Sequence, residues 1–203
     1  MPQPSPRQLA LIKTSLFLLC LLPMVRLAVG VYEDSLGANP IELITRDLGT
    51  WALNFLLIAL TITPLRKATG WHWLVRLRRM LGLYAFFYAL LHLSSYLWLD
   101  QFFDWGEILK DIIKRPFITV GMLTFLLLVP LALTSNNLAI RRLGGKRWQQ
   151  LHQLIYPLTI CAVLHYWWLI KLDVMLPGIY AGLLAALLMV RVRDGWQKLR
   201  QRY

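Results

Sequence analysis

Four histidines, His72, His92, His152 and His165, are the residues of this 203-residue chain best suited to chemistry. Two share one stretch, RWQQLHQLIYPLTICAVLHYWW (147–168), which opens on cationic and polar residues and then turns apolar. His92 lies in another apolar run, MLGLYAFFYALLHLSSYLWL (80–99). An imidazole in hydrocarbon is costly unless something binds it, and an ionisable group inside a membrane span usually marks a functional site with a partner. Two neutral imidazoles facing each other across a helix bundle suit a haem iron, which takes axial ligands from opposite faces while its flat ring fills the apolar gap. Zinc requires three or four ligands at one place. A proton relay, or a plain hydrogen bond from each ring to a neighbouring helix, is the remaining use open to them.

The elements that must position these rings are membrane helices. The chain is 58% hydrophobic, with a mean hydropathy of +0.53; ordinary soluble domains hold about 45–50% apolar residues. It reads as a single all-α integral membrane domain, 1–203, with no room for a separate soluble core. A helix rises about 1.5 Å per residue and must cross about 30 Å of hydrocarbon. Runs that meet this are 49–65, 80–99, 116–134, 148–170 and 174–190. A sixth, 10–31, is bracketed by Lys13 and Arg26, whose long side chains can snorkel outward. Its rival reading is a cleaved signal peptide. The stretch 102–113 has the apolar spacing of a short helix lying on the membrane surface, as an anchor in lipid or a dock for a partner.

The formal net charge of +12 is a topology signal rather than a nucleic-acid footprint. With the N-terminus inside, one side collects Arg7, Lys13, Arg66, Lys67, Arg76, Arg78, Arg79, Arg141, Arg142, Lys146, Arg147, Arg191, Arg193, Lys198, Arg200 and Arg202, which is sixteen of the 22 basic residues. The opposite side holds nine of the ten acids. This predicts a six-helix bundle with both termini on the cytoplasmic side. Cys20 and Cys161 both fall in apolar runs and indicate no disulfide framework, and no Cys-x-x-Cys-His is present for covalent haem attachment.

That orientation converts position into depth. His92 lies eight residues before Asp100 and His165 six before Lys171, about 12 Å and about 9 Å from the outer edge, so the two reach nearly one level. His152, five residues past Arg147, sits about 7 Å from the inner edge. On a straight helix His152 and His165 would point about 220° apart. Pro157 lies between them and predicts a kink that turns both rings nearer to a common face, as Pro130 predicts a bend in the fourth span. His72, between Trp71 and Trp73, reads as an interfacial residue of an aromatic belt.

The stretches LGANPIELITRDLGTWAL (36–53), LLIALTITPLR (56–66), RLRRMLGLYAFFYALLHLSSY (76–96), RPFITVGMLTF (115–125) and LGGKRWQQLHQLIYPLTICAVLHYWW (143–168) resemble the MsrQ (YedZ) family, within the ferric reductase-like transmembrane superfamily. The resemblance spans about residues 10–192. It implies a multi-pass protein of the bacterial inner membrane that binds haem b and is associated with FMN. Such a subunit passes electrons from the quinone pool, or from a cytosolic flavin reductase, to a periplasmic molybdopterin-containing catalytic subunit that reduces methionine sulfoxide in oxidised proteins. His92 and His165 match the family's ligand positions, and His152 its third histidine. Two-haem ferric reductases carry a further histidine 13 or 14 residues before the first, where this chain has Arg79 and Arg78. These arginines read either as holders of a haem propionate or flavin phosphate, or as positive-inside anchors. On this reading the chain is an electron-transfer subunit with no catalytic residue. Three alternatives remain: a stand-alone ferric or cytochrome b-type reductase, although no nucleotide domain is seen, a non-haem proton-coupled transporter, and a structural membrane anchor.

Overall fold

A computed structural model describes residues 3–170 and 174–200 of the chain. Lys171, Asp173 and Arg202, and the side chains of Lys198 and Arg200, all used in the charge argument, lie outside the described residues. Every regular element described is helical: α1 (Pro6–Tyr32), α2 (Pro40–Thr69), a 3₁₀ turn (His72–Leu74), α3 (Val75–Ser95) continued by a π-helical turn (Tyr96–Asp100), α4 (Trp105–Lys114), α5 (Pro116–Leu133), α6 (Asn137–Leu143), α7 (Gly145–His152), α8 (Ile155–Leu169) and α9 (Met175–Arg200).

The starts are written in side chains that accept the free amides of a first turn. Ser5 and Gln8 form a reciprocal capping box on α1, Asn39 caps α2 ahead of Pro40, Asp104 caps α4, and Asn136 caps α6. α2 ends where Gly70 adopts φ 73°, a left-handed conformation that glycine takes without a Cβ penalty. The caps place several boundaries beyond the apolar runs. α2 begins at Pro40 rather than 49, because Glu42, Arg46 and Asp47 are neutralised within the helical framework: Arg46 pairs with Glu42 at 2.7 Å, and Arg26 of α1 with Asp47 at 2.9 Å. α3 begins at Val75 rather than 80, so Arg76, Arg78 and Arg79 are helical residues and not part of a loop. The surface helix expected over 102–113 runs from Trp105, the first position Asp104 can cap.

Among the described residues, five helices are long and apolar enough to cross a membrane: α1, α2, α3 with its flanking turns, α5 and the first part of α9. The chain is a multi-pass membrane protein. The stretch 148–170 is not one helix, since α7 and α8 are separated at Gln153 and Leu154. Pro157 explains the break. It has no N–H for the Gln153 carbonyl, which accepts instead from Tyr156 N at 3.1 Å, while Leu154 N turns to Leu151 O at 3.1 Å.

α2 is the central helix, burying Ala52, Leu53, Phe55, Leu56, Leu57, Ala59 and Leu60. Against it packs α3, whose Tyr88 is fully buried at 0% exposure. The Tyr88 hydroxyl donates to Cys20 O (2.8 Å) and accepts from Met24 N (3.2 Å), bridging two groups that α1 would otherwise pair directly; Tyr84 donates to Phe17 O at 2.9 Å. These bonds tie α1 into the bundle. A second long-range tie meets a proline defect. Pro64 leaves the Leu60 carbonyl without its helical donor, and Arg191 of α9 supplies one from Nη2 at 2.5 Å while Nη1 donates to Tyr156 Oη at 2.6 Å.

Candidate functional site

His92, near the end of α3, and His165, near the end of α8, come together with ring centroids 6.0 Å apart and planes at 70°. Each ring is oriented by a different helix. His92 Nδ1 lies 2.8 Å from Thr45 O on α2, and His165 Nδ1 lies 2.6 Å from Phe117 O on α5. A carbonyl oxygen has no proton to give, so both Nδ1 atoms carry hydrogen and donate it. In a neutral imidazole that leaves a lone pair on Nε2, the tautomer of a metal ligand whose other nitrogen is held by its surroundings. Around His92 a short chain of hydroxyls completes the anchoring, with Thr45 Oγ1 donating to Ser95 Oγ at 2.9 Å and Ser95 Oγ donating to His92 O at 2.8 Å.

Glycines make the room for these rings. A Cβ at Gly49 would stand 3.0 Å from Cε1 and Nδ1 of His92, and one at Gly121 would stand 2.7 Å from the same atoms of His165. Neither glycine stands out as a site residue in the sequence.

The pair suits one iron held from both sides. Two metal–nitrogen bonds of about 2 Å each, plus the distance from each nitrogen to its ring centre, bring two ligand rings to a centroid separation of about 6 Å. Among the described residues no cluster of three or more His, Cys, Asp and Glu side chains could hold a metal ion. Two nitrogens without further protein donors fit an iron whose other ligands come from a macrocycle, and do not fit a zinc site.

The other expected residues lie at the opposite end of these helices. His152 stacks on Trp148 at 4.0 Å and 28°. Its Nε2 lies 3.1 Å from Thr134 Oγ1; that hydroxyl gives its proton to Pro130 O at 2.6 Å, so it accepts from the ring. His152 meets the end of α5 and His165 its start, and what lies between the two histidines is a break between helices rather than a kink that turns both rings to one face. The structure brings no second histidine to His152 among the described residues. Arg78 is half-buried, within electrostatic range of Arg191 and Tyr156, and His152 lies within range of both Arg78 and Arg79. Arg79 is exposed and donates to Asn137 Oδ1 at 2.9 Å. His72 is exposed in its 3₁₀ turn, flanked by Trp71 and Trp73, whose rings stack at 6.0 Å.

In the sequence Arg191 is only one more basic residue of the inner side. The available signal was Pro64, whose missing N–H obliges some donor to serve Leu60.

Residues 48–163 match the model of the ferric reductase like transmembrane component family. The chain is 57% identical over 197 residues to the protein-methionine-sulfoxide reductase heme-binding subunit MsrQ of Herminiimonas arsenicoxydans, covering 96% of this chain and 90% of the relative. It is 61% identical over 191 residues to the protein of the same name from Azospira oryzae, with 94% and 82% covered. With the protein of that name from Rhodospirillum rubrum it shares 54% identity over 180 residues, or 89% and 86% of the two chains. Identity at this level over nearly the whole length, together with a family match that contains Gly49, His92, Gly121 and His152 and stops just short of His165, shows that the chain belongs to the MsrQ family of ferric reductase-like transmembrane proteins.

Proposed function

We propose that this chain is the haem b-carrying electron-transfer subunit of a membrane system that reduces methionine sulfoxide in proteins, with His92 and His165 as the residues that would hold the haem iron. The observation that carries this reading is the meeting of those two imidazoles at 6.0 Å, each held through Nδ1 by a backbone carbonyl. The names of the relatives support the same assignment. Haem bound there supplies one-electron chemistry. The chain's own part is to hold both rings in the ligating tautomer, to strengthen them as donors through the Nδ1–H bonds, and to keep the pair half-buried among helices, conditions that tune a buried iron.

The wider arrangement follows from charge and family resemblance. The whole chain is one transmembrane domain with six crossings, α7 and α8 together forming the fifth, and both termini face the cytoplasm of a bacterial cell whose inner membrane holds the protein. The histidine pair then lies near the periplasmic face, where a molybdopterin-containing catalytic subunit docks to form a heterodimer. Electrons enter from the quinone pool or from a cytosolic flavin reductase. FMN, the second group that the resemblance implies, would be held through its phosphate at the other end by Arg78, which lies within electrostatic range of Arg191 and His152.

The test is a visible spectrum of the detergent-purified protein, oxidised and then reduced, for the wild type and for His92→Ala, His165→Ala and His152→Ala. The wild type gives a b-type spectrum, which the first two substitutions abolish and the third leaves in place. A colourless wild type from haem-replete cells ends this reading.

A further inference from the structure

The two ligand-bearing hairpins, α2 with α3 and α5 with α8, are built alike. In each, a carbonyl near the start of the first helix accepts from the Nδ1–H of a histidine near the end of the second. The glycine against that ring is the residue four positions after the carbonyl: Gly49 after Thr45, and Gly121 after Phe117. Gly49 precedes His92 by 43 residues and Gly121 precedes His165 by 44; both histidines close an Ala-x-Leu-His run, at 89–92 and 162–165. The shared geometry has a physical reason. Residues four apart lie one above the other on a helix face, so a side chain at position 49 or 121 would occupy the space that the imidazole needs to reach the carbonyl one turn earlier. Interior glycine weakens a helix, yet it recurs at both equivalent places.

We propose that Gly49 and Gly121 are positioning residues for the iron's ligands: matched notches in a repeated two-helix unit, each seating an imidazole on a carbonyl so that Nε2 of both rings is directed to one centre. The proposal rests on the haem reading above. A ligand whose Nδ1–H is bonded to a carbonyl is a stronger donor and favours the oxidised iron. Pushing a ring off its carbonyl weakens that donation and moves the midpoint potential in the positive direction. The two notches differ in tightness. At Gly121 the added carbon would meet the ring at 2.7 Å, a contact that forces movement, whereas at Gly49 it would meet the ring at 3.0 Å. Nothing stands within 4 Å of a Cβ at Gly82, which lies in the same α3 as His92.

The experiment compares Gly49→Ala, Gly121→Ala and Gly82→Ala in the purified full chain by haem content, midpoint potential and the electron paramagnetic resonance of the oxidised iron. Gly82→Ala matches the wild type. Gly49→Ala keeps its haem with a positive shift of potential and altered resonance. Gly121→Ala shows a larger shift, or loses haem while helix content and elution volume stay as in the wild type; if it does not fold, the Gly49→Ala potential decides alone. A coloured wild type whose Gly49→Ala and Gly121→Ala variants keep its potential and resonance overturns the proposal, as does Gly49→Ala proving the more disruptive of two folded variants. A colourless wild type is a different result and fails the haem reading itself.

Discussion

Arg191 and Pro64 form a coupled pair whose energetics can be worked out in advance. Arg191→Met keeps most of the side-chain volume but removes the donors to Leu60 O and Tyr156 Oη. Hydrogen bonds to charged groups are worth about 1.5–3 kcal/mol each. Set against that loss, the guanidinium carries a buried Nε with no partner, and Arg78 lies within range to repel it. A net destabilisation of about 2 kcal/mol is expected, which for a chain of this size lowers the melting temperature by about 4–8 °C. Pro64→Ala restores an N–H opposite the Leu60 carbonyl. That N–H matters little while Arg191 serves the carbonyl and more once it does not, so Pro64→Ala should stabilise the Arg191→Met background by about 1 kcal/mol more than the wild-type background. A double-mutant cycle isolates this term because the general effect of removing a proline cancels between the two arms. The assay is reversible unfolding in mixed detergent micelles, followed by helix circular dichroism. Additivity of the two changes to within about 0.3–0.5 kcal/mol would refute the assignment of Arg191 as the replacement donor.

Tyr88→Phe removes a hydroxyl that bridges two backbone groups of α1, and because α1 can then pair those groups directly, the cost should be about 1 kcal/mol, at the lower end for a buried hydroxyl; a loss above about 3 kcal/mol in the same unfolding assay would mean that α1 cannot close its own ladder. Asp104→Ala removes the acceptor for Gly106 N (3.0 Å) and Glu107 N (3.1 Å), and should weaken α4 by about 1 kcal/mol, seen as faster amide exchange confined to residues 105–108; unchanged exchange there would show that the cap contributes nothing.

Membrane helices are a property of one dimension, and five of the six expected spans are matched by helices long and apolar enough to cross a membrane. Counting residues back from Asp100 and Lys171 put His92 and His165 at one level, and the structure brings those rings together. Pro157 likewise marked the interruption between His152 and His165. Helix starts were less legible, because hydropathy reads charges as breaks. Arg46 with Glu42, and Arg26 with Asp47, form ion pairs that allow α2 to run nine residues ahead of its apolar stretch. Contacts that depend on how helices rotate against each other were out of reach. Arg191 meets a carbonyl 131 residues away, and nothing near it in sequence names that partner. Gly49 and Gly121 carry little signal in the sequence for another reason. Only one glycine and an Ala-x-Leu-His run recur, the two spacings differ by one residue, and the surrounding leucines carry no signal.

The gap at Gln153 and Leu154 also bears on how disturbance travels through the protein. α8 is referenced to Phe117 and Gly121 at one end of α5, while α7 is referenced to Thr134 at the other. A displacement of α7 meets an interruption of the continuous hydrogen-bond ladder before it reaches α8. The His165 ring keeps its seat on the Phe117 carbonyl through α8 and α5 alone, with no unbroken helical ladder joining it to His152.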